Sequence, residues 1–341
     1  MASVEYLVNP AAAQAVWIAA LGRDGQPAPF DRLEWWSALH ELCLPDEQPL
    51  IALASDGDAR CALALMHRPG SGQLRSLANW YSFWARPVFA NGGEALLPAL
   101  ARDLAHKSSR ISLAPLDVAD ATTTAEAFAT AGWSVRAEQV DVNHRVDLAG
   151  RSFAEYWAAR PGRLRETVRR KGAKNAVTLR IADRFAPADW ADYEAVYAQS
   201  WKPEEDSPAF LRRFAAFEGE AGTLRLGLAH IDDRPVAAQL WTIEAGTAYI
   251  HKLAYIEDAK AHSPGTLLSH ALFAHAIDRD GVSTIDFGTG DDAYKRDWME
   301  QVRPMLRLDM HRPFNPRSWP HLVRNRLRGP GFPLVALHHD G

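Results

Sequence analysis

The stretch STIDFGTGDDAYKRDW, Ser283 to Trp298, decides how the rest of the chain is read. Thr284, Ile285 and Phe287 favour extended backbone and follow Gly281, which predicts a strand. Gly288 and Gly290 break that strand, Asp291 and Asp292 follow, and Tyr294, Lys295 and Trp298 take up helical spacing. Two glycines between a strand and a helix let the backbone approach a ligand closely. A strand ending in an acid, a glycine turn and a Tyr-Lys pair one turn later together read as the wall of a reactive site.

The bulk numbers describe an ordinary globular chain. It has 341 residues, 47% of them hydrophobic, and a formal net charge of −4. That is enough for two domains. The charge is uneven: residues 1–150 hold 11 basic against 17 acidic side chains, and residues 151–341 hold 27 against 25. The second half is therefore the better place for an anionic ligand. The two cysteines, Cys43 and Cys61, sit in apolar stretches and suit a reducing compartment. The N-terminal apolar run from Ala11 to Leu21 is short, contains Gln14 and lacks a basic flank, so it reads as neither signal peptide nor span. The expectation is a cytoplasmic protein, with membrane association left open.

Working outward from the opening stretch exposes a repeat. PLIALASDGDARCALALMHR, Pro49 to Arg68, reads as two strands hinged on Asp56-Gly57. A strand-like LRSLANWYSFWARPVF, a helix EALLPALARDLAHK and a strand SSRISLAPLD follow it. LRLGLAHIDDRPVAAQLWTI, Leu224 to Ile243, repeats the hairpin on Asp232-Asp233. After it come the strand TAYIHKLAYIED, the helix TLLSHALFAHAIDRDG and STIDFGTGDD. Gly93 and Gly265 occupy matching turns. A repeat this long is a duplicated domain rather than a solenoid. Each copy predicts a hairpin, a third strand, a crossover helix and a fourth strand, in a mixed sheet. Between the copies, Arg151 to Lys174 reads as two helices parted at Pro161-Gly162. In the next helix Trp190, Tyr193 and Tyr197 share one face.

With these motifs in view, the chain resembles the GNAT superfamily of N-acyltransferases, and within it the tandem branch that holds FemAB-type transferases and exopolysaccharide-cluster acetyltransferases. The resemblance is carried by SPGTLL, Ser263 to Leu268, by DFGTGDDAYKRDW and by QSW, Gln199 to Trp201. It is strongest from Arg163 to Trp298, and the N-terminal copy follows it in pattern only. It implies an α/β fold of two tandem GNAT-like domains, each a mixed, mostly antiparallel sheet flanked by helices. The expected divisions are 1–150, a structural or acceptor-binding copy; 151–312, the catalytic copy; and 313–341, a basic Pro/Gly/Arg-rich tail. Members of this branch acylate amines from acyl thioesters or from aminoacyl-tRNA. Related proteins act on envelope glycans and sphingoid bases. One departure stands out: acetyl-CoA enzymes of this fold carry a basic Gly-x-Gly loop where this chain has AHSPGTLL.

Acyl transfer to an amine needs a proton acceptor, donors for the oxyanion, and stabilisation of the leaving group. Four candidates for catalysis follow. Strand alternation sets Tyr249, His251, Leu253 and Tyr255 on one face, with Ile250, Lys252 and Ala254 on the other, and His251 titrates near neutrality. Asp286 ends a buried strand and serves either as base, as orienter of His251, or as structural partner of Lys295 or Arg296. The resemblance places Tyr294 and Lys295 at the active centre, where tyrosine can protonate a thiolate and lysine can neutralise negative charge. Ser263, Gly265, Thr266 and Gly288 are candidates for the donor's phosphates, at a helix N-terminus from which Pro264 removes one N–H; the same Ser-Pro-Gly also reads as an ordinary helix start. Tyr249, Trp241, Trp201 and Arg163 are candidates for substrate contact. Arg163 opens the basic run Arg165, Arg169, Arg170, Lys171 and Lys174, which fits either a phosphate or a solvated helix face.

Rival chemistries fail on spacing. DFG has no kinase catalytic loop upstream, since HRVD at His144 is misspelt; HELCL at His40 lacks the second histidine of a zincin; no G-x-S-x-G occurs. No metal cofactor is expected. The expected partners are an acyl donor, acyl-CoA first, and a primary amine of an envelope-related acceptor, either a lipid such as a sphingoid base or an amino sugar. Aminoacyl-tRNA is the alternative donor, although no nucleic-acid motif supports it and DNA is not expected. A non-catalytic glycan- or lipid-binding role is the alternative to an enzyme. The aromatic patch Trp80, Tyr81, Phe83 and Trp84 reads in part as core, with a surplus that suits an acyl or sugar pocket, and the tail's mix of Trp319, Leu322 and Arg324 suits either an anionic membrane surface or packing on its own protein.

Overall fold

The computed structural model describes residues 2–313, 319 and 331–334. In chain order the strands and helices are β1 Ser3–Leu7, α1 Ala15–Leu21, α2 Leu33–Cys43, β2 Gln48–Asp56, β3 Ala59–His67, β4 Gln73–Ser76, β5 Val88–Ala90, α3 Leu97–Leu104, β6 Arg110–Leu116, α4 Val118–Thr130 and β7 Ser134–Asp147. They continue with α5 Phe153–Ala158, α6 Gly162–Gly172, β8 Thr178–Ala182, α7 Pro187–Ala198, α8 Pro208–Glu220, β9 Leu224–Ile231, β10 Arg234–Glu244, β11 Thr247–Tyr255, α9 Pro264–Asp278, β12 Thr284–Thr289 and β13 Gln301–His311.

The chain divides into two compact units, one of residues up to Val142 with those from Arg303 on, the other Asn143–Val302. Both are built to one plan. In the first, β2 and β3 form an antiparallel hairpin and β4 runs parallel to β6, with α3 crossing between. In the second, β9 and β10 form the hairpin and β11 runs parallel to β12, with α9 crossing between. The hairpins turn where the sequence places them: Gly57, Asp232 and Asp233 all have positive φ, which Gly and Asp tolerate best. Each unit is thus a mixed, mostly antiparallel sheet flanked by helices.

Two expectations need correction. The unit boundaries differ from 150 and 312, because each copy completes its sheet with a strand from outside its own repeat. β13 pairs antiparallel with β6 in the first unit, while the end of β7, Asn143 to Asp147, pairs antiparallel with β12 in the second. The aromatic stretch after β4 is not a strand either: only Gln73–Ser76 and Val88–Ala90 pair, and Trp80 is exposed on an irregular segment between them. Of the expected tail, residues 314–318, 320–330 and 335–341 lie outside the described residues, Leu322 and Arg324 among them. Among the described residues no helix is long and apolar enough to cross a membrane.

The second unit's core places the site. α9 buries Leu268, Leu272 and Phe273, and Trp241 of β10 meets Phe273 edge-on at 5.2 Å. β9 accepts α9 closely at Gly227, where a Cβ would stand 2.7 Å from Leu272 Cδ1. α7 packs across β10 and β11.

Candidate active site

β11 and β12 are paired only over Thr247–Tyr249 and Thr284–Asp286. Past that register the two parallel strands share no further pairing, and β12 also shifts against β7 between Asp286 and Thr289. β11 has its own irregularity: Lys252 faces Leu240 while Ile250 faces Trp241, so His251 is the extra residue of a bulge. The bulge re-phases the strand. Leu253 and Tyr255 share the face of Gln239, whose amide donates to Gly265 O at 3.1 Å and to Ser269 Oγ at 2.8 Å, the side of α9. His251 stands within 2.9 Å of Thr242 Oγ1 and edge-on to Phe214 of α8, on the opposite side.

A cavity of about 350 Å³ opens where the strands part. Leu253 and Tyr255 form its floor, and Ser263, Gly265 and Thr266 at the start of α9 form one wall; Trp201 and Tyr294 face them. A lone bridge from Ser200 to Ile256 fixes the segment carrying Trp201 beside the end of β11. The wall at α9 is electropositive. Ser263 holds φ +55°, no side chain caps the helix, and Pro264 has no N–H. The amides that follow therefore point outward at the positive end of a four-turn helix. Lys260 lines the same wall, and its exposed pair with Glu257, at 3.3 Å, is weak enough to exchange for an anion.

Tyr294 is half-buried and meets Phe287 edge-on at 5.7 Å. Burial, and then the Asp292 carboxylate, push its hydroxyl above the ordinary tyrosine range, so it stays protonated and can donate. It sits in a 3-10 turn, Ala293–Asp297, rather than in the expected α-helix. The glycines before it are required by geometry, since Gly288 and Gly290 have φ of +65° and +97°.

Six expected residues lie elsewhere. Asp286 is buried and accepts from Asn143 Nδ2 at 2.7 Å and from the Gly288 amide at 2.8 Å, so it fastens the glycine turn to β7. Lys295 is buried as well. Its ammonium donates to Thr289 O at 2.5 Å and Phe287 O at 3.3 Å, closing the turn from beneath rather than facing the cavity. Gly288 belongs to that turn and not to the wall. Trp241 is core, donating to Gln239 Oε1 at 2.9 Å, and Tyr249 is buried. His251 lies away from the cavity, turned to the other face by the bulge, and burial pushes its imidazole down to about 3. Arg163 stands at the rim, bound to Asp297 Oδ1 at 2.6 Å. Along the basic run Arg169 is tied to Glu166 at 2.7 Å and Lys171 to Ala261 O at 2.5 Å.

Sequence reasoning missed His144, which is fully buried with Nε2 3.3 Å from Asp291 Oδ1. Burial and the neighbouring Lys295 charge lower its pKa, leaving a neutral ring behind the glycine turn. Only the pairing of β7 with β12 brings it there. Lys260 was missed too, although a basic residue just ahead of SPG was visible.

Residues 158–296 match the family described as an acetyltransferase (GNAT) domain. No curated protein sequence matches the chain. Its fold is similar to that of the C-terminal domain of a putative lysylphosphatidylglycerol synthetase from Agrobacterium fabrum, at 12% identity and TM-score 0.59, over 91% of this chain and 95% of that one. It is similar to FemX at 12% identity and TM-score 0.60, over 85% and 93%. A tandem GNAT protein from the clavulanic acid biosynthesis pathway is similar at 14% identity and TM-score 0.50, over 90% and 98%.

Proposed function

We propose, from the premise that residues 158–296 of this chain are a GNAT acetyltransferase domain, that the protein is an N-acyltransferase whose donor is an acyl thioester of CoA and whose acceptor is a primary amine of an envelope-related molecule. The observation that carries the donor reading is the cavity itself: it lies at the parting of β11 and β12, with uncapped amides of α9 and Lys260 on one side and the protonated Tyr294 on the other. An anionic pyrophosphate suits the α9 wall, and an acyl chain suits Leu253 and Tyr255.

The chemistry follows from those positions. The neutral amine attacks the thioester carbonyl, and the carbonyl oxygen takes the developing charge beside the unpaired edge of β11 past Tyr249. The C–S bond then breaks as the C–N bond is kept. Tyr294 gives its proton to the departing sulfur and regains one from the ammonium nitrogen through water. The products are an amide and a free thiol. Asp286, Lys295 and both glycines act one step back, by holding the turn that presents Tyr294.

One observation favours a second donor, aminoacyl-tRNA. The matching loop lacks the basic Gly-x-Gly of acetyl-CoA enzymes, and two similar folds are FemX and a protein named for lysyl transfer to a lipid. A native mass-spectrometry titration with CoA, acetyl-CoA, palmitoyl-CoA and a charged tRNA separates the readings. Selective binding of an acyl-CoA, lost in Gly265→Leu, supports the thioester donor. Binding of charged tRNA alone moves the protein to aminoacyl transfer, and binding of neither removes the donor reading.

A further inference from the structure

The donor cavity holds about 350 Å³, the small end of the range for a drug-sized ligand, and an acyl-CoA is larger than such a ligand. With the acyl chain against Leu253 and Tyr255 and the pyrophosphate at the start of α9, the adenosine end of the donor lies outside the cavity. That end carries a phosphate monoester, with a charge of about −1.5 to −2 near neutral pH. It needs an anion site of its own on the surface beside the cavity.

α6 is that surface. It runs along the mouth from one wall to the other. Near its start Arg163 reaches Asp297 Oδ1 at 2.6 Å and Leu164 lines the cavity; at its end Lys171 donates to Ala261 O at 2.5 Å, just ahead of Ser263. A Cβ on Gly172 would stand 4.0 Å from Leu267 Cδ2, so the last turn of α6 lies against the first turn of α9. In its 11 residues α6 carries four arginines and a lysine against one carboxylate, Glu166. A helix face kept only for solubility mixes the signs, whereas this excess leaves like charges to repel unless an anion joins them.

The cations are not equivalent. Arg165 donates to Arg160 O, Arg169 is tied to Glu166, and Lys171 is engaged by Ala261 O. Helical spacing sets Arg163, Thr167 and Arg170 in one row, and Lys174 continues it in the turn just beyond α6. The contact of Arg163 with Asp297, which lines the cavity, puts that row on the cavity side. Arg170 and Lys174 are exposed, and among the described residues neither has an ion pair. Side chains four apart on a helix stand about 5–6 Å apart at Cβ, which lets one phosphate meet both.

We infer that Arg170 and Lys174 form a subsite for the phosphate monoester at the adenosine end of the donor, the 3′-phosphate of an acyl-CoA. The inference rests on the acyltransferase reading and adds to it a second anion site, on the helix between the two repeats and separate from the amides of α9. Charge that a basic Gly-x-Gly loop would supply comes here from a neighbouring helix.

Acetyl-CoA and 3′-dephospho-acetyl-CoA, titrated into the full chain by calorimetry at low and high salt, test it. The intact donor binds about 3–20-fold more tightly at low salt, and the ratio shrinks at high salt. Arg170→Gln/Lys174→Gln brings the ratio to about one by weakening acetyl-CoA alone, and the melting temperature stays that of the parent because both side chains are exposed. Arg169→Gln, which removes a charge off the row, keeps the ratio. Equal binding of the two forms by the parent overturns the subsite and keeps the donor site. A ratio that survives in Arg170→Gln/Lys174→Gln puts the phosphate elsewhere and overturns it as well. Binding of neither form removes the donor reading and the subsite with it. A charged tRNA that loses affinity in the double variant while acetyl-CoA does not assigns the row to RNA, against the inference.

Discussion

Lys295→Met tests whether the lysine of the Tyr-Lys pair acts on substrate or on the fold. In the structure its ammonium is buried and donates to Phe287 O and Thr289 O, and a methionine keeps the apolar stem while stranding both carbonyls. A hydrogen bond from a charged group contributes about 1.5–3 kcal/mol net. Two of them, less the relief of no longer burying an ammonium, give a loss of roughly 2–4 kcal/mol. For a unit of this size that lowers the melting temperature by about 2–4 °C per kcal/mol, so roughly 5–15 °C. Calorimetric melting reads the global loss, and hydrogen exchange at 286–290 reads the local one. Turnover should fall as well, because the turn carries Tyr294, and saturating donor should recover part of both losses. If Lys295→Met melts with the parent and loses only turnover, the ammonium acts on substrate and the structural reading is refuted.

Three further outcomes follow. Gly265 has room for a Cβ against Tyr255, at 3.4 Å, and its φ is not positive, so Gly265→Leu should fold normally yet weaken acyl-CoA binding at least about tenfold by filling the cavity; equal affinity by calorimetry would sink the donor site. Tyr294→Phe should lower kcat by about 10²-fold with little change in KM, and should leave the pH profile near neutrality unshifted, since Tyr294 is protonated throughout. His251 is neutral in the folded state down to about pH 3, whereas the unfolded chain takes up that proton near 6.5. Between those values the unfolded state binds more protons, so stability falls as pH drops through that window, by at most about 1.4 kcal/mol per pH unit. His251→Gln should flatten that part of the acid limb in denaturant titrations, and a kcat profile unchanged by the substitution would confirm that His251 is not the base.

The repeat was legible because it is written in local chemistry. Asp56-Gly57 and Asp232-Asp233 turn their hairpins through left-handed backbone, and Ser263-Pro264 starts a long apolar helix. The strand exchange was not legible. Whether the edge of β6 is covered by Gln301–His311, or that of β12 by Asn143–Asp147, depends on which distant segment reaches it, and no local pattern reports that. The bulge at His251 hid the site's geometry in the same way. Alternation assumes a period of two without interruption; one extra residue moves every side chain beyond it to the other face. Leu253 and Tyr255 thereby came to line the donor cavity, while His251 and Tyr249, expected beside them, went to the opposite side or the core.

Asp286 and Lys295 show a different limit. Asp286 was expected to need partners, because a buried charge is costly alone, and it has them, whereas Lys295 was not expected to be buried at all. What the types of residue could not convey is that backbone would be among the partners: the Gly288 amide for the carboxylate, the carbonyls of Phe287 and Thr289 for the ammonium. A turn held from both ends by its own main chain has to be glycine-rich, so the two glycines that first suggested close approach to a ligand also serve close approach to these charges. The helix of Trp190, Tyr193 and Tyr197 carries a related lesson. Helical periodicity reports that a face is sheltered from water, and says nothing about how deeply; here Trp190 and Tyr193 are core, and only Tyr197 stays partly exposed at the edge of a cavity.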